Sequence, residues 1–342
     1  MGSTILPASE EVAVLLARAR GTVEPALRSA VDGLHPDLAR VAGYHCGWIT
    51  ADGAPAEHDG GKRLRAALTL LSAAAAGAPE QTALPGAVTV ELVHAFSLLH
   101  DDIIDSDHTR HGRPAAWTVF GVGAAVLTGD ALLTLAVRTI ADTADTALLT
   151  RLTEVMAALC HGQAQDTRFE RCTQVSIEDY LAMVAGKTAA LLELSATAGA
   201  TLAGASPRLV ADLGRLGHHL GVAFQMTDDI LGIWGDPALT GKPTSDIARR
   251  KKTLPVLAAL AAGTTASRRL ADVLLGTSGD LDAGTIDTCT QLIDAAGGRA
   301  RAESEIRRHH TQALRILDDL RLPQQADRAW RQLAAYLLTR VR

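Results

Sequence analysis

The sequence predicts an all-α fold, a single-domain bundle of antiparallel helices, and three observations predict it. Aromatic residues are only 3% of the chain, while Ala and Leu fill long stretches, a bias toward helix formers and away from the residues that favour strands. Apolar residues recur at helical spacing in nearly every segment. The interruptions are short and rich in Gly, Pro and Asp.

The elements follow in order from those interruptions. The helical pattern breaks at ADGAPAEHDGG (51–61), AAGAPEQTALPG (75–86), GASP (204–207), GDPALTGKPTS (235–245) and GTSGDLDAGT (276–285). Each reads as punctuation between helices, and none is long or biased enough to be a linker. Residues 1–342 therefore read as one domain, and a chain with 47% hydrophobic and 21% charged residues can bury a large core. A formal net charge of −5 gives no global pull toward nucleic acid or anionic lipid. Bound anions must be held by local basic clusters.

Cys46, Cys160, Cys172 and Cys289 are widely spaced, with no CxxC or Cys/His ligand pattern, so they read as ordinary thiols. The start, MGSTILPASEEV, is acidic and lacks the apolar core of a secretory signal. No stretch reads as the run of roughly 18 uncharged apolar residues that a membrane span needs. A cytoplasmic protein is expected.

Two phrases match: LLHDDII (98–104) and QMTDDIL (225–231). At about 100° per residue, Asp101 and Asp105 lie one turn apart on one helix face, with His94 within about 20° of the same line and Asp102 beside them. Close carboxylates repel unless a cation lies between them, and an all-oxygen site with few protein ligands per ion suits Mg²⁺ carrying substrate phosphates. The second phrase offers Asp228 and Asp229, but four residues after Asp228 comes Gly232, and the next acid is Asp236. This half of the site is expected to be thinner. Either phrase alone reads more readily as a solvated acidic face. Basic segments tip the balance: GGKRLR with Lys62, Arg63 and Arg65, TRHGR with Arg110 and Arg113, and GKPTSDIARRKKTLP with Lys242, Lys251 and Lys252. Acidic helices and basic segments in an otherwise apolar chain suggest a pocket that holds diphosphates through metal and Lys/Arg together.

From GGKRLR to KKTLP the sequence resembles the polyprenyl synthetase family, the trans-isoprenyl diphosphate synthases. The resemblance implies the isoprenoid synthase type I fold, helices around a central cavity. It implies three Mg²⁺ ions, with Asp101 and Asp105 as ligands to two, Asp102 in support, and Asp228 on the third. It implies that Lys187, Lys242, Lys251 and Arg110 contact the allylic diphosphate, and that Lys62, Arg65 and His94 hold isopentenyl diphosphate. Thr188 and Gln225 match the residues that place oxygen atoms near the developing allylic cation. The implied reaction is ionisation of the allylic C–O bond, attack by the double bond of isopentenyl diphosphate, and proton loss, with water excluded by apolar walls. The family also packs as a homodimer, for which the apolar stretch AAVLTGDALLTLAV (124–137) is a candidate interface.

Three positions depart from the family pattern. His111 stands where a second Arg helps bind isopentenyl diphosphate, exchanging a permanent bidentate donor for a titratable one. Gly232 replaces the last Asp of the second DDxxD, with Asp236 as a water-mediated substitute. Arg250 stands where a Gly precedes the lysine. These departures keep two rivals open, a terpene synthase or cyclase with the same metal site and a non-catalytic partner subunit. Product length rests on Ser97, four residues before Asp101 and about 40° from it, and Phe96, five before and about 140° away. That pair resembles the geranylgeranyl-forming members of the family and implies a C20 product, with C15 the nearer alternative. Phe96 also reads as plain core packing.

Overall fold

A computed structural model of the chain describes residues 10–56, 61–235, 246–276 and 281–339. Lys242 and Asp236 lie outside these residues. The helices are α1 (Glu10–Asp32), α2 (Pro36–His45), α3 (Leu64–Ala75), α4 (Leu84–Ile104), α5 (Ala116–Phe120), α6 (Val122–Ala141) and α7 (Thr146–Arg171). They continue as α8 (Ile177–Val184), α9 (Ala190–Leu202) and α10 (Pro207–Trp234). The last five are α11 (Leu254–Ala261), α12 (Thr265–Gly276), α13 (Ala283–Ala295), α14 (Gly298–Asp319) and α15 (Gln324–Thr339). The expected all-helical architecture is the one observed. Among the described residues, the strands amount to one two-residue hairpin, Thr109–Arg110 paired antiparallel with Arg113–Pro114. A π-turn at Ala185–Ala189 joins α8 to α9.

Two predicted breaks are narrower than the sequence suggests. The Pro/Gly-rich stretch 75–86 ends with Pro85 and Gly86 inside the first turn of α4, because proline's missing N–H costs nothing where the helix has no partner for it. In the same way α13 starts at Ala283, with Asp282 accepting from the Thr285 N–H at 2.7 Å as its N-cap.

The principal core draws side chains from α1–α7, α9, α10, α14 and α15, with Leu68, Leu92, Leu132, Leu152, Leu192 and Trp330 fully buried in it. A second cluster gathers Tyr180, Met183, Val222, Met226, Leu254 and Ile306 under the π-turn. A third joins Ile233 and Ile247 to α11–α13. Small residues bring helix axes close. A Cβ added to Gly199 of α9 would lie 2.6 Å from Ser72 Oγ on α3, and one added to Gly217 of α10 would lie 2.7 Å from Ala196 Cβ. In this way α3, α9 and α10 press together with α4 across the middle.

The expectation about membrane spans requires correction. Residues Glu80–Ile104, Val122–Ala141 and Ile177–Leu202 are each long and apolar enough to cross a membrane once one or two charges are tolerated. Hydropathy cannot distinguish a helix bound for lipid from one bound for a protein core. In the first and third, 67% and 61% of the apolar window is buried inside the fold, but in α6 only 33% is. Leu127 of α6 is 60% exposed and Val122 is 48% exposed.

Candidate active site

The first acidic cluster closes α4. Asp101 and Asp102 lie in its last turn, and Asp105 caps it by donating its backbone N–H to the Asp101 carbonyl at 2.8 Å. Asp228 and Asp229 likewise lie near the end of α10. Both clusters thus sit at the negative ends of helix dipoles, where carboxylates are least welcome. Such an arrangement requires cations. Arg110 supplies one, with its Nε 2.8 Å from Oδ1 of buried Asp102 and its Nη2 on the same oxygen. Lys251 Nζ donates to Asp105 Oδ2 at 3.3 Å, and Arg249 Nη2 donates to Asp107 Oδ1 at 2.5 Å.

The hairpin after α4 aims this chemistry. Its two turn residues, His111 (φ 50°) and Gly112 (φ 72°), are both left-handed, the backbone of a two-residue type I′ turn. Arg110 and Arg113 therefore pair across the ladder. Arg113 stacks over the Tyr44 ring at 4.3 Å and donates to the Ile49 carbonyl at 3.0 Å, which leaves Arg110 as the arginine turned to the acids.

The π-turn carries Lys187 and Thr188 up to α7. Gly162 and Gly186 permit the approach: a Cβ on Gly162 would meet Lys187 Cα at 2.8 Å, and one on Gly186 would meet the Ala158 carbonyl at 2.7 Å. Lys187 Nζ then reaches Asp166 Oδ2 of α7 at 2.6 Å. Burial works against its ammonium, but Asp166 and Asp101 outweigh it and raise the pKa. Lys251 behaves alike, burial being overcome by Asp105, Asp166 and Asp246. For Asp101 the balance runs the other way. Burial raises its pKa, and Asp105 and Asp166 add to the effect against Lys187 and Arg110. A carboxyl group short of neutralising charge is what a hard divalent cation relieves. Among the described residues, no three His, Cys, Asp or Glu side chains converge tightly enough to hold one ion between them. The donor set fits Mg²⁺ that takes most of its ligands from phosphate and water, and does not fit an all-protein cage.

Thr188 and Gln225 meet directly. Thr188 Oγ1 donates to Gln225 Oε1 at 2.6 Å, and Gln225 Nε2 donates to Asp229 Oδ1 at 3.0 Å. Tyr180 Oη and the Leu254 N–H both donate to Asp229 Oδ2, at 2.6 and 3.2 Å. Asp229 is thus fully engaged in holding Gln225 and α11. Burial pushes its pKa up to about 7 despite these three donors.

The basic residues of GGKRLR separate. Arg63 adopts a left-handed backbone (φ 50°) at the start of α3 and turns inward, pairing with Glu24 at 3.0 Å and Glu91 at 3.1 Å. Glu91 also accepts from the Ala66 N–H at 3.0 Å, so a buried ion cluster fixes the N-terminus of α3. Lys62 Nζ lies 2.6 Å from Tyr336 Oη on α15. Arg65 shares the field of Glu91 and Asp228, with burial lowering its pKa. His94 is held well below its ordinary pKa by burial and then by Arg65, Arg110 and His45, so its imidazole is neutral. His45 falls to about 3 through burial, with Arg110, His111 and Arg63 adding to the effect. Arg65, His94, Arg110 and His45 therefore lie within one another's electrostatic reach, and exposed His111 lies within reach of His45.

Phe96 is buried, its ring edge-on to His100 at 5.5 Å, while half-buried Ser97 donates to the His94 carbonyl at 2.9 Å. Arg250 has a left-handed backbone (φ 52°), which explains a glycine at this position in the resembled pattern.

Sequence reasoning overlooked Gln163, Asp166, Tyr180 and Asp246. Gln163 and Asp166 share one face of α7 at i, i+3, and both amide atoms of Gln163 are buried with no partner among the described residues. The signal available was an acid and an amide one turn apart on a helix, too common to single out.

Comparison with known proteins bears on this geometry. Residues 54–293 match the family model for polyprenyl synthetase. The chain is 43% identical over 333 residues to (2E,6E)-farnesyl diphosphate synthase of Mycobacterium tuberculosis, covering 95% of this chain and 92% of the relative. It is 46% identical over 289 residues to geranylgeranyl diphosphate synthase of the same organism, covering 83% and 82%. The crystal structure of a polyprenyl synthetase from Streptomyces coelicolor superposes with a TM-score of 0.91 at 45% identity, covering 96% of this chain and 99% of that one.

Proposed function

The chain belongs to the polyprenyl synthetase family, and from that membership we propose that it is a short-chain trans-prenyl diphosphate synthase joining isopentenyl diphosphate to an allylic diphosphate, with geranylgeranyl diphosphate (C20) as its product. One observation carries the reading. Two lysine ammoniums, Lys187 and Lys251, are bonded to Asp166 and Asp105 between the two acidic helix ends, so an entering diphosphate meets its metal ligands and its direct cationic partners in one place.

In this reading Asp101, Asp105 and Asp228 would hold three Mg²⁺ ions, which would supply the positive charge that neutralises a departing diphosphate. Lys187, Lys251 and Arg110 bind that diphosphate, Lys242 joins them, and Asp102 aligns Arg110 through its buried carboxylate. Lys62, Arg65, His94 and His111 bind isopentenyl diphosphate. A neutral His94 serves as a hydrogen-bond donor there without competing for charge. Thr188 and Gln225 line the path of the allylic cation with oxygen dipoles, and Asp229 fixes the amide orientation of Gln225. Apolar helix walls around the site would exclude water.

The C20 assignment rests on Ser97, which is small and half-buried on α4, with Phe96, edge-on to His100, closing the path obliquely one residue earlier. A C15 product is the alternative, since relatives of both names align over most of the chain. The half-exposed apolar face of α6, with Val122 and Leu127, supports a homodimer. All four cysteines are free thiols, which suits a cytoplasmic enzyme.

The test is to incubate the pure protein with Mg²⁺ and each allylic diphosphate, with and without isopentenyl diphosphate, and to separate diphosphates from hydrocarbons. Chain elongation is expected, suppressed by EDTA, and Asp101→Ala should lower turnover by several orders of magnitude with unchanged helical circular dichroism. Hydrocarbon formed without isopentenyl diphosphate would point to a terpene synthase instead, and no product at all to a partner subunit.

A further inference from the structure

Helix α3 has no N-cap from its own sequence. Arg63 stands at the cap position with a left-handed backbone (φ 50°, ψ 39°) and makes no side-chain cap. The unsatisfied N–H groups and positive dipole of such a helix end favour a carboxylate, and α4 supplies it. Glu91, only 3% exposed, accepts from the Ala66 N–H on Oε1 at 3.0 Å and from Arg63 Nη1 on Oε2 at 3.1 Å. Arg63 Nε in turn donates to Glu24 of α1 at 3.0 Å. One buried joint thus fastens α1, α3 and α4 together. The residues beside it are two of those read above as binding isopentenyl diphosphate. Arg65 directly precedes Ala66 in the first turn of α3, and Glu91 and Asp228 support its charge against burial. Its Nε is buried with no hydrogen-bond partner among the described residues, a donor that an entering anion can take up. His94 follows Glu91 by three residues, one turn along the same face of α4.

We propose that Glu91 is a positioning residue for isopentenyl diphosphate: by capping α3 from α4 and neutralising Arg63, it holds the Arg65 guanidinium and the His94 imidazole in the register that one diphosphate can bridge. The proposal rests on the reading of Arg65 and His94 as ligands of that substrate, and Glu91 acts through them without touching it. An ion cluster that served the fold alone would change stability and leave substrate affinity untouched.

The test combines steady-state kinetics of the full chain with Mg²⁺, each diphosphate varied in turn, and thermal melting. Glu91→Gln keeps the shape, but its one oxygen cannot accept from both Ala66 and Arg63. The KM for isopentenyl diphosphate should rise about 10- to 100-fold, the scale of a misplacement of about 1 Å. The KM for the allylic diphosphate and kcat should stay near wild type, as when only binding is lost. Melting should also fall, because Arg63 keeps only Glu24. The double variant Arg63→Met/Glu91→Leu separates the two effects. It replaces the buried pair with apolar side chains and leaves Glu24 beside Arg28 at 3.4 Å, so melting should recover toward wild type while the KM for isopentenyl diphosphate stays raised, the Ala66 N–H having lost its carboxylate. If Glu91→Gln does not fold, the double variant decides alone. A wild-type KM in a folded Glu91 variant, or a KM that recovers together with melting, would overturn the proposal. Arg65→Gln is the reference. If it leaves the KM for isopentenyl diphosphate unchanged, the reading of that substrate's ligands fails; if it raises the KM while the Glu91 variants do not, only the role of Glu91 is overturned.

Discussion

Replacing Gly162 with Ala adds one methyl group where the π-turn carrying Lys187 and Thr188 lies against α7. The new Cβ would stand 2.8 Å from Lys187 Cα and 2.9 Å from Lys187 Cβ, with the Lys187 backbone nitrogen nearer still. Carbon atoms rest at about 3.5–4.0 Å, so the turn must retreat by roughly 0.7–1 Å. It cannot do so by a rotamer change, because the obstructing atoms are main chain. Overpacking of this kind costs about 1–3 kcal/mol. At about 2.1 cal/mol/K of unfolding entropy per residue, a chain of 342 residues should lose about 1.5–4 °C of melting temperature. The functional effect should be larger, because a misplacement of about 1 Å can cost about 100-fold in rate. The retreat would stretch the 2.6 Å bonds of Lys187 to Asp166 and of Thr188 to Gln225 together. Circular dichroism melting and steady-state turnover read the two effects separately. Gly21→Ala is the control: Gly21 lies in α1 with nothing within 4 Å of an added Cβ, so this change should stabilise by about 0.5–1 kcal/mol without affecting turnover. Wild-type turnover in Gly162→Ala would refute the link between glycine packing and the site, and an unchanged melting temperature would refute the packing geometry itself.

Three further outcomes are expected. Ser97→Phe should shorten the main product toward C15, and Phe96→Ala should give chains longer than wild type; product analysis that finds no change in either variant would mean the growing tail does not pass this turn of α4. His111→Arg should lower the KM for isopentenyl diphosphate, since the left-handed backbone at φ 50° burdens both side chains alike and only the permanence of the charge differs; an unchanged KM would show that the side chain works elsewhere. Burial, with Arg308 and His219 adding to it, lowers the pKa of His309 from 6.5 to about 4. The unfolded chain thus takes up a proton near pH 6.5 that the folded one refuses until about pH 4, so this contribution is complete above 6.5 and is lost as pH falls through that window, by about 3 kcal/mol at most. Urea midpoints of wild type and His309→Gln at pH 7 and pH 4.5 measure it, and equal pH dependence in the two would discount His309.

Much of the site was legible because it obeys helix periodicity. Asp101 and Asp105, Asp228 and Asp229, and the apolar runs that precede them mark two helices, and they end as α4 and α10. Lys187 and Thr188 were legible through resemblance alone, for nothing in AGKTA announces a π-turn or the glycine opposite it on α7. Arg63 illustrates the limit. In sequence it is one of three equivalent basic residues, yet a left-handed backbone turns it into the core against Glu24 and Glu91, while Lys62 goes to Tyr336 some 270 residues away. Such pairings are contacts between distant segments, and no local pattern encodes them.

The sequence by itself determined the helical class, the positions of the two acidic helix ends and the supply of basic residues around them, because these depend on neighbours within one or two turns. Only the tertiary structure decided which charges meet. Lys187 faces Asp166 and Arg110 faces Asp102, and Asp229 is consumed by Tyr180, Gln225 and Leu254. It also decided that the gap at Gly232 is filled by Asp246 from a turn beyond α10. The reason is physical. A buried charge costs several kcal/mol unless it is paired, so partners are chosen by where the packed helices leave charged groups facing one another, and that choice is made by the whole fold at once.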